Sequence, residues 1–246
     1  MLSKLQEAIA LFVKNLGLFS QIILTVWLPG SLLIVFLRYF VIPITAGEDQ
    51  MTMFVQEIRI SSFLESLVSP LYGGAIISAL AKIKQLEVPT YQQVMRHAAS
   101  RSLKLFATRF STSLMIFLGL LALIVPGIIL ILRYYFIDQI VVLENINGNN
   151  ARQRSRRLTK GRKGQIFWAS LVAWIGTLVT VIALSIVFQT LILEQINLGQ
   201  GFNFIFDVAF ECLSKVIFGF LYVVSFVFYW DSRRVDYYSQ SSEADF

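Results

Sequence analysis

Along this chain, apolar residues come in long unbroken blocks rather than in short alternating or heptad patterns. Six blocks predict membrane-spanning segments at residues 16–39, 61–81, 106–125, 127–143, 165–193 and 204–230. About 20 apolar residues in a helix cross a hydrocarbon core of about 30 Å. No water is available there to satisfy backbone groups, so each block must be a helix. The predicted fold is an all-α polytopic membrane bundle of about six spans, with residues 1–246 forming one integral membrane domain. The fifth block is long enough to tilt or to extend past the bilayer.

Between the blocks the pattern changes. Leu2–Lys14 and residues 94–109 alternate apolar and basic positions at helical spacing, which predicts interfacial helices lying on the inner leaflet. Residues 1–15 are the amphipathic start, and residues 231–246 are a cytoplasmic tail. The start lacks the charged, apolar and cleavage-site order of a signal peptide and reads as retained. Pro126-Gly127 predicts a tight outer turn between spans 3 and 4. Asn147-Gly148 predicts a cap on span 4, and Asn150 with Gln153 a capping box for a basic helix. Pro29, Pro70, Gly73 and Gly74 interrupt spans. Broken helices line many transporter sites, but kinks and close packing are the commoner use, and packing is the favoured reading. Residues 27–40 echo residues 124–136 around a shared Pro-Gly and Arg-Tyr, which suggests related helical hairpins or chance within a small apolar alphabet.

Composition agrees: 56% of the 246 residues are hydrophobic and 15% charged, against about 25% charged in soluble domains. The charges are placed unevenly. Seventeen of the 21 Lys and Arg fall in the N-terminal segment, the 2–3 link, the 4–5 link and the C-terminal tail. The positive-inside rule then puts both termini in the cytoplasm. The densest run is Arg152, Arg154, Arg156, Arg157, Lys160, Arg162 and Lys163, seven cations within twelve residues. Beside a membrane it predicts contact with anionic headgroups or an acidic protein partner. No stacking platform or reader motif accompanies it, so nucleic acid is not expected. The expected membrane is the bacterial cytoplasmic (inner) membrane, with an internal membrane such as a thylakoid as the alternative.

Chemistry is sparse. Intramembrane charges are costly and therefore informative: Arg133, Glu65, Arg38, Asp138, Glu211 and Lys215. They read either as a substrate pathway or, preferably, as interhelical pairs: Arg133 with Glu65 or Asp138, Arg38 with an outer carboxylate, Glu211 with Lys215 one turn on. The single histidine, His97, has no second ligand nearby, and the single cysteine, Cys212, reads as a buried apolar residue. No phosphate loop or nucleophile elbow occurs. No catalytic residue, metal or cofactor is expected. Tyr134, Tyr135, Tyr229 and Trp230 fit interfacial aromatic belts.

Three stretches carry a family resemblance: Leu121-Ala-Leu-Ile-Val-Pro-Gly-Ile-Ile-Leu-Ile-Leu-Arg-Tyr134, Val141-Val-Leu-Glu-Asn145, and Ala151-Arg-Gln-Arg-Ser-Arg-Arg-Leu-Thr-Lys-Gly-Arg162. They resemble the bacterial multi-pass membrane region named after glycerophosphoryl diester phosphodiesterases. Phe228-Tyr-Trp-Asp-Ser-Arg-Arg234 resembles that group's aromatic-Asp-Leu-Arg ending. The match runs from about span 3 to the tail. In the enzymes that named the family the chemistry lies in a separate soluble barrel, which these residues do not encode, so the resemblance does not carry over an activity. Ser155, Leu158, Gly161 and Arg162 match its pattern, with Gly161 expected to turn the chain sharply into the membrane. The expected function is a non-catalytic scaffold, assembly or accessory subunit that contacts anionic lipid and a protein partner or a second copy of itself. The alternative is a small-solute or lipid transporter or channel built around Arg133. A lipid-modifying enzyme comes third.

Overall fold

The computed structural model describes residues 1–46, 49–188, 190 and 200–244. Among these, all regular structure is helical, and six helical segments are long and apolar enough to span a bilayer. The protein is an integral membrane protein.

Helix α1 (Leu2–Lys14) is the expected amphipathic start, burying Leu5 and Ala8. Helix α2 (Leu16–Phe40) is the first span, followed by the short α3 (Ile42–Ala46). The second span is longer than its apolar core: α4 runs Gln50–Lys84. Asp49 caps it, accepting from the Met51 and Thr52 amides at 3.3 and 3.2 Å and from the Thr52 hydroxyl. These bonds, the hydroxyl's first, hold the Asp49 carboxyl below its ordinary pKa.

Three expectations at the element ends are corrected. Residues 94–109 do not form a separate interfacial helix. They are the first half of α5 (Tyr91–Ala122), which continues unbroken into the third span because no proline or glycine interrupts it before Gly119. The turn between spans 3 and 4 falls at Leu123, whose backbone is extended (φ −164°, ψ 146°), not at Pro126-Gly127. Pro126 instead sits in the first turn of α6 (Ile124–Arg133), where its missing N–H has no intrahelical partner to lose. Gly127 allows α5 and α6 to touch: a Cβ there would lie 2.9 Å from the Leu120 Cα. Third, span 4 is closed by Asn145 in the left-handed conformation (φ 57°), not by Asn147-Gly148. Gly148 opens α8 (Gly148–Leu158), so Asn150 and Gln153 lie inside that helix and form no capping box. Asn147 occupies the N-cap without a side-chain bond.

Span 4 itself is interrupted. After α6 the chain steps through residues 134–136, then forms α7 (Ile137–Gln139), which widens into a π-turn over Ile140–Glu144. Span 5 is α9 (Lys163–Phe188); the expected end of that span at residues 189 and 191–193 lies outside the described residues. Span 6 is broken at Gly219 into α10 (Gln200–Phe218) and α11 (Phe220–Ala244). The expected tail from residue 231 is therefore helix as far as Ala244. The two Pro-Gly copies do not occupy equivalent places: Pro29 lies mid-helix in α2, whereas Pro126 lies in a first turn.

The core lies at one end of the bundle. From Ser69 to Ala81, α4 is buried almost continuously, against Trp27 of α2, Ala98 of α5, Ile140–Val142, and Val223–Tyr229 of α11. Gly73 and Gly74 serve this packing, as expected. A Cβ on Gly73 would meet the Tyr222 ring at 2.6 Å, and one on Gly74 would meet Ala98 Cβ at 3.4 Å. By contrast, α9 exposes Trp174, Val179 and Ile186, and α5 exposes Phe110, Leu114 and Phe117. Such a surface is ordinary where the surroundings are hydrocarbon.

Candidate functional site

The intramembrane charges sort into three paired groups and a lone Arg133, and apart from Arg38 the partners differ from those expected. Arg38 meets carboxylates on two other helices, as expected: Glu57 of α4, Asp207 of α10 at 3.4 Å and Glu211 at 3.2 Å. The Tyr39 hydroxyl also donates to Asp207, at 3.0 Å. Glu211 and Lys215 do not pair with each other. Lys215 reaches the Glu65 carboxylate at 2.6 Å and lies 4.6 Å from the Trp27 ring centroid. Asp138 pairs with Arg109, which donates through Nε at 2.7 Å and Nη2 at 2.6 Å. Arg109, one of the bases of the link between spans 2 and 3, lies within the membrane-spanning helix α5. Arg133 pairs with neither Glu65 nor Asp138. It has no ion pair among the described residues, and its Nε is buried without a partner.

Two of these pairs border a cavity of ≈ 840 Å³. Its walls come from α4 (Glu65, Tyr72), the end of α6 (Ile131, Leu132), the interrupted stretch (Tyr135, Asp138, Gln139), α9 (Phe167 to Trp174) and the α10–α11 break (Lys215 to Ser225). Arg133 is not among the lining residues. Phe167 and Trp174 place the cavity about 6 to 16 Å along α9 from Lys163, at about 1.5 Å per residue. It therefore lies within the apolar slab on the side of the basic run. Both Ile131 and Trp174 line it and are also substantially exposed on the apolar flank. An opening beside these two residues would face hydrocarbon.

The interruption of span 4 builds the polar wall. The Ser155 hydroxyl of α8 is fully buried; it donates to the Arg133 carbonyl at 2.9 Å and accepts from the Phe136 amide at 3.2 Å. These bonds satisfy backbone groups freed where α6 ends. The step turns Tyr135, Asp138 and Gln139 inward. Tyr135 accepts from Ser170 at 2.7 Å, and Gln139 Nε2 donates to Ser225 at 2.8 Å. Gln139 Oε1 is buried and has no partner among the described residues. A second groove of ≈ 380 Å³, between α1 and α9, shares Ala173 and is lined chiefly by apolar side chains such as Leu5, Phe12 and Phe220.

The basic run divides. The buried face of α8 is Ala151, Ser155 and Leu158, at helical spacing. Arg154 donates to Glu144 at 2.9 Å and also to Asp236. Burial works against its charge, but the bonds to Asp236 and Glu144 outweigh that and hold its pKa above the ordinary arginine value. Arg157 reaches Asp236 at 3.4 Å, Arg162 reaches Asp231 at 2.6 Å, and Arg152 donates to Ser111 at 2.9 Å. Arg156, Lys160 and Lys163 make no ion pair among the described residues, and Arg156 and Lys160 are exposed. Gly161 has φ +77°, between α8 and α9, the sharp turn expected of it.

Neither His97 nor Cys212 enters this site. His97 Nε2 contacts the Val142 carbonyl at 3.1 Å, and the buried Cys212 lies 3.2 Å from the Ser31 hydroxyl. No cluster of metal-ligating side chains occurs among the described residues. Sequence reasoning missed Arg109, Gln139, Tyr135 and Ser170. Gln139 carried a usable signal, as a lone amide within Phe136-Ile-Asp-Gln-Ile-Val-Val142. Comparison with protein-family models, with curated proteins and with solved structures found no match to this chain.

Proposed function

We propose that this protein is a carrier for an amphipathic small molecule or lipid, held in the cavity between α4, α6, α9 and the α10–α11 break. The carrying observation is a cavity of ≈ 840 Å³ within the apolar slab, with a Glu65–Lys215 ion pair on one wall and the exposed apolar residues Ile131 and Trp174 in its lining. Ligand sites are mostly apolar with a few placed polar groups, and volumes of about 300–1,000 Å³ are usual. The centre of the site is Glu65, Lys215 and Asp138 rather than Arg133. The charged groups on the wall are held in ion pairs, Glu65 with Lys215 and Asp138 with Arg109, which favours binding and movement over bond-making. The test is transfer of fluorescent short-chain lipids or labelled solutes across reconstituted vesicles. Leu171→Trp, which narrows the cavity from α9, should slow transfer and leave the folded protein intact. Transfer by Leu171→Trp at the wild-type rate, or none by wild type, refutes the reading.

A second reading is an accessory subunit or homo-oligomer, in which a protein partner replaces lipid along α9, of whose most apolar stretch only 11% is buried. Native mass spectrometry from nanodiscs would show a stoichiometric partner or a second copy. Lipid contact through the basic side then rests mainly on Arg156, Lys160 and Lys163, contributing roughly 1 kcal/mol each beside an anionic surface. The skewed charge distribution supports a cytoplasmic placement of that side, and the family resemblance supports a bacterial inner membrane. The resemblance carries over no activity.

A further inference from the structure

We infer that the cavity selects amphiphiles whose head group donates hydrogen bonds, a hydroxyl or primary ammonium group, over those with an anionic head. This rests on the carrier reading above and specifies its ligand. The argument is an inventory of donors and acceptors. The cationic donors are largely committed: Arg109 gives Nε and Nη2 to Asp138 and Nη1 to Ser69, at 2.6 to 2.8 Å. Lys215 gives one of its three N–H groups to Glu65 and rests against the Trp27 ring, its charge balanced by that carboxylate. The acceptors are in surplus. Gln139, 1% exposed and lining the cavity, has Oε1 buried without a partner among the described residues. A carboxylate offers about four lone-pair sites; Glu65 receives only Lys215 and the Tyr72 hydroxyl, and its side chain is 40% exposed.

A buried carbonyl oxygen without a partner costs free energy that a donor on the ligand would recover. An anionic head would instead face Glu65 and Asp138 with the nearby cations already paired. Aromatic rings on the same walls, Tyr72, Phe167 and Trp174, suit an ammonium group and equally cover an alkyl chain. An opening beside Ile131 and Trp174 would let such a molecule arrive sideways from the bilayer, tail and all.

The test places the whole protein in nanodiscs of phosphatidylcholine, whose head group has no hydrogen-bond donor. Three probes with one brominated chain are titrated: an alkyl primary amine, a monoacylglycerol and a fatty acid at neutral pH. The readout is saturable quenching of Trp174, taken as wild type minus Trp174→Phe. The amine, the monoacylglycerol or both should bind at least roughly tenfold tighter than the acid, as one charge-assisted or buried hydrogen bond allows. If only the amine binds, ammonium is the recognised group; if both bind, a hydroxyl suffices. Gln139→Leu should weaken the donor probes roughly tenfold and leave the acid unchanged. Gln139→Glu, which keeps an acceptor, should retain them, and matched thermal unfolding separates either effect from loss of fold. Equal binding of acid and donors, untouched by Gln139→Leu, overturns the head-group assignment and leaves the carrier reading standing. No saturable quenching by any probe overturns both.

Discussion

Replacing Ser155 with alanine removes one oxygen and exposes how the site is built. That hydroxyl is fully buried and serves two backbone groups from another part of the chain, the Arg133 carbonyl and the Phe136 amide. Alanine fits the space but leaves the Phe136 N–H with nothing to donate to. The Arg133 carbonyl keeps only Thr159, whose hydroxyl is 3.5 Å away. A buried unsatisfied group costs about 1–3 kcal/mol. One full orphan and one weakened acceptor therefore predict a loss of about 1–3 kcal/mol for Ser155→Ala. Ser170→Ala, at a less buried hydroxyl, should cost less. The assay is denaturant titration of the reconstituted protein, followed by tryptophan fluorescence. Because the 134–136 step sets Tyr135, Asp138 and Gln139 on the cavity wall, the variant should also weaken ligand binding. A stability change below about 0.5 kcal/mol, with binding intact, would refute Ser155 as the post that holds this step.

Three further outcomes are expected. Arg109→Met and Asp138→Leu should each cost toward the lower end of roughly 3–5 kcal/mol, since each strands a charge that is only partly exposed, while the double variant should be more stable than the worse single one, as a double-mutant cycle in nanodiscs would record. Gly73→Ala should lose about 1–3 kcal/mol because its Cβ falls 2.6 Å from the Tyr222 ring, and pairing it with Tyr222→Ala should recover part of that in thermal unfolding. Gly161→Ala should lose about 1 kcal/mol because φ is +77° there, and Gly161→Asn less, by the same measurement.

The spans could be read in the sequence because hydrocarbon thickness imposes a length and apolar blocks obey it. Arg38 could also be read: a lone cation among apolar residues needs carboxylates, and α4 and α10 supply them. The identity of other partners could not. Glu211 and Lys215 stand one turn apart, yet each turns to a different helix, where Arg38 and Glu65 give shorter routes to neutrality. Arg109 was hidden by its basic neighbours Arg101 and Lys104, since nothing local marks where α5 leaves the interface. The cavity depends on a break in span 4 that is held by a serine two segments later, a contact to which no local pattern points.

Asp231 ties together three distant stretches of chain. It accepts from Lys4 in the first helix and from Arg162 at the foot of α9, while the ammonium of Lys4 lies 5.2 Å from the Phe228 ring. The opening helix also packs Phe12 against Phe220. Synthesis runs from the N-terminus, so α1 emerges long before its partner. During translation it holds only its earlier partners, Lys84 through Glu7 and Phe19 through Phe12, and its docking is completed when the last helix arrives. A nascent chain stopped before residue 231 would leave Lys4 and Arg162 without this carboxylate and α1 partly docked. The ion pairs at Asp231 therefore mark a chain whose last helix has been inserted.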